Sequence, residues 1–260
     1  MIPGADFHIH TRFCGHAAGT AQELASAAAQ KGLSRIGISD HVPFPDGRWP
    51  EVRMKMTDLP QYIAEVREAQ KSMVNIKVLL GMECDYYPLY SSYFKDALRG
   101  NLGFDYLAGA IHYIEPKAGE IQSVFKKIAG LHGLLSYTDL CVEAIESGLF
   151  DFIAHPDIFN LFYRRWNSNT ERCAEKICTA AAAKNIPLEI NTSGWRKPKI
   201  LTTRGMRPMY PVPEFWEIAA SCGAKAIINS DAHRPADIGS LFDRGADFAS
   251  EMKVHLADKF

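Results

Sequence analysis

Residues able to bind metal close one short apolar run after another along this chain, and that recurrence limits the fold more than any other feature. They lie in Asp6-Phe-His8-Ile-His10, Cys14-Gly-His16, Ser39-Asp40-His41, Gly109-Ala-Ile-His112, Ile153-Ala-His155-Pro-Asp157 and Asn229-Ser-Asp231-Ala-His233. Seven of the nine histidines fall in these segments. Neutral imidazole and carboxylate are the donors that transition-metal hydrolases use, and gathering so many of them requires a cation to hold them together. The chain reads as a multinuclear metalloenzyme.

The runs that deliver these residues are strand-like: 5–9, 35–39, 76–83, 106–112, 150–155, 187–191 and 226–231. Helical patterns separate them. Thr20-Ala-Gln-Glu23 is a capping box, Ala-rich sequence follows it, and Gly32 can end the helix. Further helices are expected near 58–73, over 169–184 and before 226. Such alternation implies parallel strands with right-handed crossovers, either in an open doubly wound sheet or in a closed barrel. An open sheet gathers its site at one switch point, whereas here nearly every strand ends in a polar ligand, which only a closed ring brings together. The expected fold is therefore α/β, a (β/α)7 distorted TIM-like barrel with its metal site at the C-terminal ends of the strands. A chain of 260 residues that is 47% hydrophobic can bury one large core, so a single domain over 1–260 is expected. The connections 42–56 and 192–212 are long, and long loops after strands lie over a barrel's active face.

His8 and His10 are two apart on a strand, so both point to one face and can chelate one ion. The spacing alone is weak evidence. It gains weight from Glu83, His112, His155, Asp231 and His233 at equivalent strand ends. A catalytic zinc takes about three protein ligands, so this set implies two or three divalent ions, with zinc, manganese and iron all compatible. Carboxylate can bridge two ions where neutral imidazole cannot, which makes Glu83 the expected shared ligand. A hydroxide held between such ions is nucleophilic at neutral pH and suits in-line attack on phosphorus. Cys84 alternates with Glu83 and should face away from it. Cys14 lies between His10 and His16, where packing is favoured over ligation. His132 and His255 belong to no strand end and read as structural or exposed.

The loop after the sixth strand carries Arg196, Lys197, Lys199, Arg204 and Arg207 with no acidic residue between Asn191 and Tyr210. Guanidinium offers paired donors that match phosphate oxygens and stabilise charge in the transition state. Arg164 and Arg165, after His155, are second candidates. Phe44, Trp49, Tyr163 and Trp166 either wall a pocket or form small cores within the loops. Net charge is -1, so nothing global favours nucleic acid and a small phosphorylated metabolite is the expected partner. The six cysteines are scattered with no Cys-x-x-Cys pair, as suits a reducing cytoplasm. No basic leader and no run long enough for a bilayer is present, so no membrane association is expected. The oligomeric state is not encoded in any of these features.

Taken in order, Asp6-Phe-His8-Ile-His10-Thr, Phe13-Cys-Gly-His16, Ser39-Asp-His41, Gly81-Met-Glu-Cys-Asp-Tyr86, Ile111-His112-Tyr, Phe150-Asp-Phe-Ile-Ala-His155-Pro-Asp157, Glu189-Ile-Asn-Thr-Ser-Gly194 and Ser230-Asp-Ala-His233 resemble the PHP (polymerase and histidinol phosphatase) family. The Gly-x-Glu-x-Asp-Tyr, Phe-Cys-x-His and Asn-Thr-Ser-Gly-x-Arg segments point to its histidinol-phosphatase branch. The resemblance implies a trinuclear site, with His8, His10, Glu83 and Asp231 around one ion. Glu83, His112 and His155 would surround a second, and His16, His41 and His233 a third. It also implies that Arg196 and one of Arg164 and Arg165 grip the phosphate, and that Glu83, Asp231, His233 and Arg196 serve catalysis. Ala110 departs from the serine associated with that branch. The implied activity is hydrolysis of L-histidinol phosphate in histidine biosynthesis, with another small phosphoester, such as a nucleotide or sugar phosphate, as the alternative. A polymerase-associated nuclease would need a fused polymerase or an extended basic groove, and an amidohydrolase would more often bridge its metals with a carbamylated lysine. A non-enzymatic role would require a damaged site, yet every ligand position is filled.

Overall fold

The structure, a computed structural model, describes residues 4–126 and 130–257. Its strands in chain order are β1 (Ala5–Asp6), β2 (Arg35–Ile38), β3 (Lys77–Asp85), β4 (Tyr106–Ala110), β5 (Tyr113–Ile114), β6 (Gln122–Ser123), β7 (Phe152–Ile153), β8 (Leu188–Asn191), β9 (Ile200–Thr202), β10 (Gly205–Arg207), β11 (Lys225–Asn229) and β12 (His255–Leu256). Its α-helices are α1 (Ala21–Gln30), α2 (Leu59–Ser72), α3 (Gly130–Glu146), α4 (Ser168–Lys184), α5 (Ser193–Arg196), α6 (Pro213–Ser221) and α7 (Phe242–Glu251). Eight strands are parallel, in the order β1-β2-β3-β4-β7-β8-β11-β12, while β5–β6 and β9–β10 are antiparallel hairpins. Seven of the eight are the runs expected from sequence. The eighth, β12, has two residues, too few to show a period. Between β3 and β4 the crossover contains a π-helix, Tyr93–Asn101, rather than an α-helix.

The residues group into two compact units. Of the described residues, the first holds 4–84 with Ser92–Ala108 and Ile228–Ala246. In it α1 starts as expected: Glu23 N donates to Thr20 Oγ1 at 3.2 Å and Thr20 N donates to Glu23 Oε2 at 2.8 Å. Arg35–Ile38 pairs in parallel register with Ala5–Asp6 on one side and Lys77–Leu80 on the other. Glycine at 37 and 81 makes room there for Tyr106, since a Cβ on either would lie 2.1 Å from that side chain. Tyr106 is buried and donates 2.7 Å to Phe7 O, so a β4 side chain fixes the end of β1. Tyr62 from α2 likewise donates to Ile38 O and Gly81 O, at 2.9 and 2.7 Å. The strand ends are thereby positioned by buried phenols as well as by the ladder.

Of the described residues, the second unit holds Asp85–Ser91, 109–126, 130–227 and 247–257. Its aromatic core links α3 to α6: Tyr137 meets Phe159 at 5.5 Å between ring centroids, Phe159 meets Phe215 at 6.2 Å, and Phe215 meets Trp216 at 5.5 Å. Each is buried, and full burial of such a side chain contributes roughly 1.5–3 kcal/mol. The long loop 192–212 is not irregular throughout, because it contains α5 and the β9–β10 hairpin. Its far end is tied down by buried Asp157, which accepts from Val212 N at 2.6 Å and Trp216 Nε1 at 3.2 Å.

Burial pushes the Asp157 carboxyl up to about 6, against the lowering effect of these hydrogen bonds and of Arg207. The folded protein therefore holds this proton more tightly than the unfolded chain, whose value is near 3.8. Between those values stability is lost as pH rises, by an amount on the order of 2–3 kcal/mol. Denaturant unfolding of wild type and Asp157→Asn at several pH values is expected to show a stability difference that changes from pH 4 to 7. A difference independent of pH would contradict the assignment.

Candidate metal centre

The parallel ladder continues past the named strands and sets the ligands side by side. In the first unit Ile9 bridges Ala232, and His41 bridges Glu83, both in parallel. His10 N donates to Ala232 O at 2.8 Å, Ala232 N to His8 O at 3.1 Å, and Ser39 N to Ile9 O at 2.8 Å. The segments ending in Asp231 and His233, His8 and His10, His41, and Glu83 are thus consecutive neighbours. The regular part of β1 is shorter than the expected 5–9 because side chains replace ladder bonds here. Phe7 N donates to Asn229 Oδ1 at 2.8 Å, and Ile9 N to Ser39 Oγ at 3.3 Å. Asp6, wholly buried, accepts from Ser230 N at 3.0 Å, from Gly239 N at 3.0 Å and from the Ser230 hydroxyl.

The resulting geometry is that of a donor cluster. His8 Nε2 is 3.4 Å from Glu83 Oε1 and 3.7 Å from Asp231 Oδ1. His10 Nε2 is 3.3 Å from Asp231 Oδ1 and 3.7 Å from Glu83 Oε2, while His41 Nδ1 is 2.7 Å from Glu83 Oε2. His16 Nε2 and His233 Nε2 are 3.1 Å apart. Three ligand sets, His8/His10/Asp231, His10/His41/Glu83 and His16/His41/His233, each have donor atoms within 4.8 Å of one another. His10, His233 and Cys14 also fall within that span, although burial pushes the Cys14 thiol up to about 12.

Whether a cation fits is answered by His10. Its side chain is wholly buried; Nδ1 has no hydrogen-bond partner among the described residues, and Nε2 has only the Asp231 carboxylate, 3.3 Å away and poorly aligned. Burying an imidazole without such partners costs several kcal/mol, at the order of magnitude of an unsatisfied polar group. Burial, aided by the neighbouring His233 and His41, holds His10 well below the usual imidazole range, and burial with His233 lowers His16. Both rings are kept in the neutral form, in which imidazole binds metal. Among these carboxylates and imidazoles, divalent transition ions fit the donor set.

In the second unit His112 and His155 come together, with Nε2 atoms 3.2 Å apart. Asp85 Oδ1 lies 2.9 Å from His112 Nδ1 and accepts from His112 N at 3.1 Å. Glu189 Oε2 accepts from His155 N and from Asn191 Nδ2, each at 2.9 Å. A carboxylate behind a ligating histidine fixes ring orientation and raises donor strength. Asp85, Glu189 and, at 3.8 Å from His10 Nδ1, Asp40 have no assigned role in the sequence reading. The signal was present for Asp40, beside His41, and Asp85, two residues after Glu83, while Glu189 lies in a quoted motif that holds no candidate ligand. Asp231 and His155 have φ of 49° and 31°, in the left-handed region that non-glycine residues avoid. Such strain costs about 1–3 kcal/mol and persists where neighbours overdetermine the backbone.

The basic residues separate into different environments. Arg196 ends α5, half-buried, with Nη1 3.3 Å from Thr192 Oγ1. Gly194 lets this short helix press against Tyr210, whose carbonyl would be 2.1 Å from any Cβ there. Lys197 Nζ donates to Tyr210 Oη at 2.7 Å. Arg204 pairs with Glu214 of α6 at 2.5 Å, and Arg207 donates to the carbonyls of Pro208 and Met209 at 2.8 and 3.0 Å. Arg164 and Arg165 are exposed, Arg164 donating to Leu161 O at 3.0 Å. Phe44 and Trp49 pack at 5.5 Å with Arg53 over both rings, a core within the loop. Cys84 is buried, and His132 and His255 are exposed, as expected.

Comparison with known proteins adds the context. The PHP domain profile matches residues 6–193. A protein of Deinococcus radiodurans named as a probable histidinol-phosphatase is 34% identical over 95% of this chain and 92% of its own length. A Schizosaccharomyces pombe protein of the same name is 24% identical, over 89% of this chain and 81% of its own. A crystal structure of histidinol phosphate phosphatase from Lactococcus lactis, complexed with zinc, L-histidinol and phosphate, aligns with a TM-score of 0.75 at 18% identity, covering 98% of this chain and 96% of that one. At that identity the likeness is one of fold, and the class is the distorted TIM-like α/β barrel anticipated from sequence.

Proposed function

The chain belongs to the PHP domain family, and on that premise we propose that it hydrolyses L-histidinol phosphate to L-histidinol and phosphate in histidine biosynthesis. The observation that carries the chemistry is the cluster around Glu83, whose two oxygens lie within 3.7 Å of His8, His10 and His41. The choice of substrate rests on the Deinococcus radiodurans relative, which is similar over 95% of this chain. His8, His10, Glu83 and Asp231 would hold one ion, Glu83, His112 and His155 a second, and His16, His41 and His233 a third. Zinc, manganese and iron all suit such donors. When bound, such ions polarise a phosphoryl oxygen and make a coordinated water acidic.

The protein's own groups then have separable tasks. Glu83 supplies the charge shared between ligand sets. Asp85 orients the imidazole of His112, Asp40 ties down the backbone at Thr11 next to His10, and Asp6 holds the loop that presents Asp231. Arg196, with Arg164 or Arg165, would grip the phosphoryl oxygens. One phosphoesterase domain over 1–260 acting on a small phosphorylated metabolite in the cytoplasm, without nucleic acid or membrane, completes the proposal. Among the described residues no helix is long and apolar enough to cross a bilayer.

Metal-replete protein is expected to show a kcat/KM for L-histidinol phosphate at least roughly tenfold above other phosphomonoesters, about 1.4 kcal/mol in transition-state binding. Equal rates across nucleotide and sugar phosphates would favour the alternative substrate class. Saturation at one metal equivalent per chain would reject the multinuclear reading.

A further inference from the structure

The loop after His112 displays an aromatic ring that the proposed metal and phosphate chemistry leaves unused. Phe125 is 57% exposed, yet its backbone is fixed in place. Tyr113 pairs with Ser123 and Ile114 with Gln122, Val124 N donates to His112 O at 2.9 Å, and Phe125 N donates to Ser123 Oγ at 3.3 Å. The ring is 5.6 Å from the His112 imidazole, with the two planes 31° apart. One side of Phe125 therefore faces a metal-ligand candidate and the rest meets water, where a large apolar side chain gains nothing from burial.

We propose that Phe125 is a substrate-contacting residue whose exposed surface receives the aromatic ring of the leaving group. This rests on the reading above, that the substrate is L-histidinol phosphate. Its ester oxygen and three carbons put the imidazole roughly 5–6 Å from phosphorus at ordinary bond lengths. A phosphate held beside His112 thus places the substrate ring about one ring's reach away, the same range in which Phe125 stands from His112. Offset or edge contacts between aromatic rings contribute beyond area burial, and more when one ring is protonated. Phe125 would select for a ring-bearing alcohol without touching the reacting atoms.

The test compares full-length, metal-loaded wild type, Phe125→Ala, Phe125→Leu and Phe125→Tyr on L-histidinol phosphate and on ring-free glycerol 3-phosphate. Metal content and inhibition by L-histidinol and by inorganic phosphate are read alongside. Phe125→Ala is expected to lose roughly tenfold in kcat/KM for L-histidinol phosphate, mostly through KM, and to weaken L-histidinol inhibition by a similar factor. Glycerol 3-phosphate turnover, phosphate inhibition and metal content should stay within about twofold, Phe125→Tyr should match wild type and Phe125→Leu should fall between. Equal losses on both substrates, or none on either, would overturn the inference while leaving the phosphatase reading intact. Wild type that does not hydrolyse L-histidinol phosphate would overturn both.

Discussion

Glu83→Gln is expected to abolish most phosphatase activity and to release metal, with the fold retained. The amide keeps the volume and shape of the side chain but removes the negative charge that a set of neutral imidazoles cannot replace. In the structure Glu83 is 1% exposed and reaches three imidazoles at once, with His41 at 2.7 Å. Without metal, an amide can still hydrogen-bond to that ring, so the apo variant should unfold close to wild type. The loss in kcat/KM should exceed the 10–100-fold that follows from removing an outer partner of a ligand, and roughly 10³-fold is expected. Elemental analysis after loading and dialysis should show at least one equivalent fewer than wild type. An inactive variant with full metal stoichiometry would mean that Glu83 acts by some route other than sharing ions.

Arg196→Ala is the second large effect, of a different kind. Charge on a transferring phosphoryl group spreads over its equatorial oxygens, so a fixed guanidinium matters more in the transition state than in the ground state. Arg196 is held at the end of a one-turn helix, half-buried and 3.3 Å from Thr192 Oγ1, which limits the freedom lost on binding. Removing it should lower kcat/KM by roughly 10²–10³, about 2.7–4 kcal/mol by analogy with losing one oxyanion donor. Metal content should not change. Arg196→Lys should recover only part of the activity, because a point charge cannot make paired contacts. Near-wild-type activity in Arg196→Ala would move the phosphate clamp to Arg164 or Arg165.

The clustered donors were legible because most of them combine two signals, a strand-like run and a side chain able to bind metal at its end; His16, which follows a short turn, has only the second. His8 and His10 show this most simply, since alternation puts both on one face and their rings lie 5.1 Å apart. The carboxylates behind them were harder to assign. Asp85 follows Glu83 by two residues and shares its strand face, so periodicity gives them the same role, yet Asp85 meets His112 at 2.9 Å. Only the distance between side chains separates ligand from support. The basic loop shows a different limit: no acidic residue lies between Asn191 and Tyr210, but Arg204 finds Glu214 from the following helix. Local charge says little about partners that the fold brings from elsewhere in the chain. The Tyr106 phenol against Gly37 and Gly81 was equally hidden, because nothing local in β4 reveals what its side chains will cross.

The cluster joins residues from opposite ends of the sequence: Phe7 N bonds to Asn229 Oδ1 across 222 positions, and Ser230 bonds to Asp6 across 224. A nascent chain on the ribosome presents His8 and His10 early, long before their neighbours Asp231 and His233 have been made. At about 5–20 residues per second, more than ten seconds separate the two events. During that interval the early histidines lack the other donors of the proposed site. On the proposed ligand assignment, metal loading would therefore be a late step, coupled to docking of the 229–233 segment beside β1 and exposed to whichever ions are available at that moment.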